Sequence, residues 1–152
     1  MREKTTIKIL VFLILGAMLF VFVQKNIVAS PAGNEQDKQG IQFLNLSYEE
    51  ALKTAKKENK LVFLDAYASW CYPCKLMARN TFSDPKVGAY FNEKFINLKM
   101  DMEKGEGPEL SRKLGVTAYP TVYFISPDGK IIQKSVGYRN PRELLSIAKS
   151  IQ

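Results

Sequence analysis

Cys71-Tyr72-Pro73-Cys74 holds the only two cysteines of the 152-residue chain. Two thiols three positions apart at a helix start can close a small disulfide ring and open it again. A sulfur at that end of a helix faces free backbone N–H groups and the positive pole of the macrodipole, and both favour a thiolate. The pair follows Leu61-Val62-Phe63-Leu64-Asp65-Ala66-Tyr67, a mostly apolar run of strand length. Strand, CxxC and helix in this order form a dithiol redox pattern. Cys71, exposed at the helix start, is the expected nucleophile, attacking a substrate disulfide to give a mixed disulfide. Cys74, one turn deeper, then attacks the Cys71 sulfur and frees the reduced substrate. The competing reading is a purely structural disulfide, but so short a loop removes little chain entropy when it closes.

Asp65 is the third chemical residue. An unpaired charge in an apolar strand is costly. A buried carboxylate with a raised pKa could carry the proton to and from Cys74. The plainer reading is a strand-end acid that reaches water or a backbone donor. The chain has no histidine, which excludes Ser-His-Asp and Cys-His hydrolases in their usual forms and the HExxH metal sites. Two cysteines do not make a structural zinc site. No metal and no cofactor beyond the redox-active Cys71–Cys74 pair is expected.

Hydrophobic content of 46% and charged content of 24% are ordinary for a globular protein. Of the net charge of +7, residues 1–30 supply +3 through Arg2, Lys4, Lys8 and Lys25 against Glu3, which leaves about +4 for the rest. Lysines scattered among acids read as a solvated surface, not a nucleic-acid footprint. Residues 9–23 are uninterrupted apolar and follow Arg2, Lys4 and Lys8. Residues 1–30 therefore read as a signal peptide or signal anchor with its positive end in the cytoplasm. Fifteen helical residues reach about 22 Å, short of a hydrocarbon core of about 30 Å. Ile27, Val28 and Ala29 could extend the span, and Ser30-Pro31-Ala32 resembles a cleavage site. Both forms place the domain outside the cytoplasm. Residues 31–40 carry no large apolar side chain and read as a flexible linker. The domain is then 41–152.

The elements that must hold the cysteines follow from local signals. Ile41-Gln42-Phe43-Leu44 alternates and predicts a short first strand. Ser47 with Glu50 makes a capping box for a helix to about Lys57, with Ala51, Leu52 and Ala55 on one face. Leu61–Tyr67 is expected at the centre of a sheet covered on both faces. Leu76 and Met77 are expected core contacts of the CxxC helix. Asp84-Pro85 starts another helix, with Val87, Tyr90 and Phe91 inward, and Phe95–Met100 is a strand. Gly107-Pro108 opens a helix that Gly115 stops. Thr121–Ile125 and Ile131–Val136 flank Pro127-Asp128-Gly129-Lys130 as a hairpin. Asn140-Pro141 starts the last helix. The order β-α-β-α-α-β-α-β-β-α predicts an α/β fold with a mixed central sheet and helices on both faces.

From residue 41 to 152 the chain resembles the thioredoxin family. Asp65-Ala66-Tyr67-Ala68-Ser69-Trp70-Cys71 looks like the family's strand-end segment, Lys75 follows the second cysteine, and Gly137 matches the glycine after the last strand. Val116-Thr117-Ala118-Tyr119-Pro120-Thr121 looks like the loop whose proline is cis and faces the disulfide. The resemblance implies a thioredoxin fold and a cis Tyr119–Pro120 bond. It also implies that the Tyr119 backbone is free to pair with an incoming substrate strand. Trp70 would shield the site or simply pack, and Tyr72, between the cysteines, would tune potential or partner choice. Trp70, Tyr72, Tyr119 and Pro120 are thus the expected substrate-binding residues. Tyr67, Tyr119 and Tyr123 also read as core or rim packing. Where many members carry a lysine beside the buried acid, Asn97 is the residue expected here.

Within the family, Tyr67–Cys71 and Thr81-Phe82-Ser83-Asp84-Pro85-Lys86-Val87 look most like the periplasmic C-terminal domain of DsbD-type reductant carriers. That likeness implies an extracytoplasmic thiol–disulfide oxidoreductase, a reductase of protein disulfides. It would sit in a bacterial periplasm or on the outer face of the inner membrane. Its partners would be protein disulfides and a separate membrane-embedded thiol donor, with possible anchoring through residues 9–23 and a monomeric state. An oxidising DsbA-type protein would insert a helical domain between Cys74 and Pro120. Cytochrome-maturation thioredoxins carry an extra insert not evident here. An oxidase or isomerase, a chaperone, and a Cu(I) carrier using two thiolates as soft ligands remain as alternatives.

Overall fold

The computed structural model of the chain describes residues 40–151. The expected leader, 1–30, and the expected linker apart from Gly40 lie outside them.

Four strands form one mixed sheet in the order β2-β1-β3-β4. They are β1 (Leu61–Tyr67), β2 (Phe95–Asp101), β3 (Thr121–Ile125) and β4 (Ile131–Val136). β1 runs parallel to β2 and antiparallel to β3, and β3 pairs antiparallel with β4. The helices are α1 (Tyr48–Glu58), α2 (Tyr72–Met77), α3 (Pro85–Lys94), α4 (Gly107–Leu114) and α5 (Pro141–Lys149). A π-helical turn, Ala78–Phe82, joins α2 to α3.

Strand periodicity divides the core in two. Val62, Leu64 and Ala66 of β1 face one way and pack with Tyr48, Ala51 and Ala55 of α1 and with Leu110 and Leu114 of α4. Phe63 faces the other way, with Met77 of α2, Phe82, Val87 and Phe91 of the π turn and α3, and Leu144 and Ala148 of α5. There Phe63 lies edge-on to Phe91 at 4.7 Å and beside Phe124 at 5.3 Å. Each such fully buried phenylalanine contributes about 1.5–3 kcal/mol. Both faces of β1 are therefore dry, and whatever polar group β1 carries is dry with them.

The helix ends obey their local chemistry. Ser47 and Glu50 form a reciprocal capping box on α1. The Asp84 carboxylate accepts the N–H groups of Lys86 and Val87 at the start of α3. Asn140 and Glu143 form a second capping box on α5. Leu76 of α2 is half-buried, whereas Met77 is fully buried.

The expected first strand, Ile41–Leu44, is not one. Only Leu44 touches the sheet, as an isolated parallel bridge to Leu98, with its N–H on the Asn97 carbonyl at 2.9 Å. The residues before it bond elsewhere. Ile41 donates to the Phe82 carbonyl at 2.6 Å, and the Gln42 N–H goes to the Asn92 side chain at 2.8 Å. Backbone groups spent on the π turn and α3 cannot also form a ladder with β2. Leu44 thus touches part of the β2 edge, while among the described residues β4 pairs on one side only and carries exposed Ile131, Ile132 and Val136 around Lys134.

Candidate active site

β1 delivers the chain to the redox pair. After Tyr67 the backbone turns, with the Cys71 N–H on the Ala68 carbonyl at 3.1 Å. Cys71 is the N-cap of α2, in extended conformation, and its sulfur accepts the Cys74 backbone N–H at 3.2 Å. Pro73 lies in the first turn, where its missing N–H costs nothing. Cys71 and Cys74 are joined as a disulfide, with Cα atoms 5.3 Å apart. The sulfur that receives the free N–H is the one at the helix mouth, the position that stabilises negative charge when the bond opens.

Cys71 was expected to be exposed, and here it is not. It is 2% exposed and Cys74 3%. Ala68 packs with both, and Tyr67 and Tyr119 close in from the side. Both sulfurs are satisfied by each other in this oxidised form, and the aromatic rim covers them. Trp70 and Tyr72, which flank Cys71, are each 67% exposed.

The Tyr119–Pro120 bond is cis. Pro120 is buried and Tyr119 half-buried. The Pro120 carbonyl accepts the Gly137 N–H at 2.7 Å, and the Thr121 hydroxyl donates to the Ala118 carbonyl at 2.7 Å. Burial, and after it the Glu103 carboxylate, push the Tyr119 phenol above its ordinary range. Tyr123 is a core residue whose hydroxyl donates to the Leu114 carbonyl at 3.3 Å. Tyr67 is half-buried.

Asp65 is 1% exposed, on the Phe63 face of β1. The parallel register sets it directly beside Lys99 of β2, whose ammonium donates to Asp65 Oδ2. That ammonium also lies 4.2 Å from the Tyr67 ring centre, 5.4 Å from that of Phe82 and 5.6 Å from that of Phe43. Among the described residues Asp65 Oδ1 has no hydrogen-bond partner. Burial pushes the carboxyl above the usual range, and Lys99 opposes this without overcoming it.

The expectation that Asn97 stands beside the acid is therefore corrected. Asn97 lies opposite Phe63, two positions before Lys99 along β2, and its amide donates to the Phe91 carbonyl and the Asn92 side chain. Two residues along a strand return to the same face, so only the β1–β2 register decides which one meets Asp65. Sequence reasoning also missed Glu103. It follows β2, and its carboxylate accepts the Trp70 indole N–H at 2.8 Å. Among the described residues no group of three or more His, Cys, Asp or Glu side chains is placed to hold a metal ion. No helix among them is long and apolar enough to cross a membrane.

A family model described as a thioredoxin-like domain matches residues 48–152. A protein from Bacteroides thetaiotaomicron, solved in solution and described as a candidate disulphide-isomerase, is 50% identical. It aligns with a TM-score of 0.66 over 73% of this chain and 92% of that one. The oxidised C-terminal domain of Neisseria meningitidis DsbD is 26% identical, with a TM-score of 0.60 over 74% of this chain and 99% of that domain. The thiol:disulfide interchange protein DsbD of Pseudomonas fluorescens is 34% identical over 80 residues. These are 52% of this chain but only 14% of that protein, so the chain spans a small part of this relative.

Proposed function

We propose, from the premise that this chain belongs to the thioredoxin-like family of thiol–disulfide oxidoreductases, that it reduces protein disulfides outside the cytoplasm. The observation that carries the chemistry is the Cys71 sulfur at the mouth of α2, accepting the Cys74 N–H and bonded to Cys74. In the reduced protein the Cys71 thiolate attacks one sulfur of a substrate disulfide and expels the other as a thiolate. Cys74 then attacks the Cys71 sulfur, breaks the mixed disulfide and releases the second substrate thiol. Two electrons pass to the substrate, and the protein is left as the Cys71–Cys74 disulfide. Asp65, which burial makes a stronger base than an ordinary carboxylate, takes up the Cys74 proton in its ionised form and returns it from its neutral form. Trp70, Tyr72, Tyr119 and Pro120 frame the surface on which the substrate segment docks. A separate thiol donor restores the dithiol, and no further cofactor enters.

The similarity to DsbD supports the reducing direction. So does the short path from Cys74 to Pro120, which holds only the end of α2, the π turn, α3, β2 and α4. Arg2, Lys4 and Lys8 before the apolar residues 9–23 support export or anchoring. Insulin-disulfide reduction tests the reaction. Wild type is active and Cys71→Ser is not, and equal rates would leave only a binding role. A reduction potential near −270 mV, about that of thioredoxin, fits a reductase, and one near about −120 mV reverses the direction. Fractionation of cells should place the chain in the periplasm or inner membrane, and recovery in the cytosol would refute export.

The 50% identity to the Bacteroides protein favours isomerisation as a second reading. Reactivation of scrambled ribonuclease without net oxidation would establish it.

A further inference from the structure

The turn after β2 is fastened to the segment before Cys71 at three points. The Met102 N–H donates to the Tyr67 carbonyl at 2.8 Å. The Lys104 ammonium reaches the Ser69 hydroxyl at 3.3 Å. The Trp70 indole N–H donates to Glu103 Oε2 at 2.8 Å. Glu103 is itself oriented, because its backbone N–H donates to Asp101 Oδ1 at 3.1 Å.

An indole that is two-thirds exposed has little packing to fix its rotamer. Here two contacts do so, the Glu103 carboxylate and an edge-on approach to Tyr119 with ring centres 6.0 Å apart. Tyr119 in turn packs against Ala68, Cys71 and Cys74. A chain of contacts thus runs from Glu103 through Trp70 and Tyr119 to a disulfide that is almost wholly covered.

We propose that Glu103 is a positioning residue: by accepting the Trp70 indole N–H it holds that ring against Tyr119 and keeps the pair closed over the Cys71–Cys74 disulfide. This rests on reading Cys71–Cys74 as the reacting pair. A partner that draws Trp70 away from Glu103 uncovers the sulfur it is to exchange with, so access is coupled to docking.

The test uses the oxidised full chain and dithiothreitol, a probe too small to need docking. A dithiothreitol thiolate attacks the Cys71 sulfur and expels Cys74 as a thiolate, which takes a proton from solvent. The second dithiothreitol thiol then attacks the mixed disulfide, releasing Cys71 and leaving as the cyclic disulfide. Acid quenching, alkylation and mass measurement follow the rate in every variant. Glu103→Ala should speed reduction about three- to tenfold, the range that loss of one hydrogen bond of ordinary net strength supports. It should also lower the fluorescence anisotropy of Trp70, the only tryptophan.

Glu103→Gln keeps an oxygen acceptor and should match wild type. In a Trp70→Phe background, Glu103→Ala should change nothing. An unchanged rate and anisotropy in Glu103→Ala overturns the proposal. So does a Glu103→Gln variant that behaves like Glu103→Ala, or an alanine effect that persists without the indole. Equal insulin reduction by wild type and Cys71→Ser would remove the proposed reaction and leave these rates readable.

Discussion

Asp65 and Lys99 share a dry face of the sheet, and their contest sets one measurable property. Burial raises the Asp65 carboxyl and Lys99 restrains the rise. A carboxyl raised in the folded state contributes stability that is full below its unfolded pKa and lost as pH climbs through the folded one. Asp65→Asn should therefore unfold at a higher temperature than wild type at pH 8, with the gain shrinking toward pH 4. A gain independent of pH would mean that the carboxyl is not raised. Lys99→Met should push the Asp65 titration further up, as read by carboxyl NMR. If Asp65 relays the Cys74 proton, Asp65→Asn should also slow resolution of a mixed disulfide about a hundredfold at neutral pH. Cys74→Ser, with Cys71 intact, should trap substrates as mixed disulfides. Affinity capture under non-reducing conditions followed by mass spectrometry reads this, and an absence of adducts counts against the exchange.

At the scale of elements, the legible features are local ones. Ser47 with Glu50, Asp84 with Pro85 and Asn140 with Pro141 each write a helix start within four residues, and all three appear as read. The hairpin around Asp128-Gly129 is equally local. The features that escaped are set by distant partners. The Ile41–Leu44 strand was lost to hydrogen bonds with Phe82 and Asn92. Lys99 was passed over for Asn97 because a parallel register leaves no mark on either strand alone. The CxxC and its helix were visible in sequence, whereas the covering of Cys71 depends on Tyr119, dozens of residues away, and was not. Two substitutions test the elements themselves. Ser47→Ala should cost about 1 kcal/mol in chemical denaturation through the lost cap. Gly107→Ala should cost about 1–3 kcal/mol, because its Cβ would overlap the Asp101 carbonyl where α4 meets the end of β2. A neutral result at Gly107 would mean that α4 can shift away from β2.

Across the whole molecule, the two core clusters share one four-stranded sheet, and β1 contributes to both. Neither can melt while the other keeps its strands dry, so the described region should unfold in one step. Near- and far-ultraviolet circular dichroism should give coincident urea transitions, with a slope of about 1–3 kcal/mol per molar. The sheet has two borders of unlike character. Leu44 bridges to one of them through Leu98. The other is β4, where Ile131, Ile132 and Val136 surround Lys134, whose ammonium is tied back to the Gly115 carbonyl at 2.7 Å. A greasy strand with one free edge invites growth into fibrils, and a lysine in its middle interrupts that growth. A Lys134→Val chain should therefore cloud on storage at high concentration, as light scattering would read, while its dilute exchange chemistry stays intact.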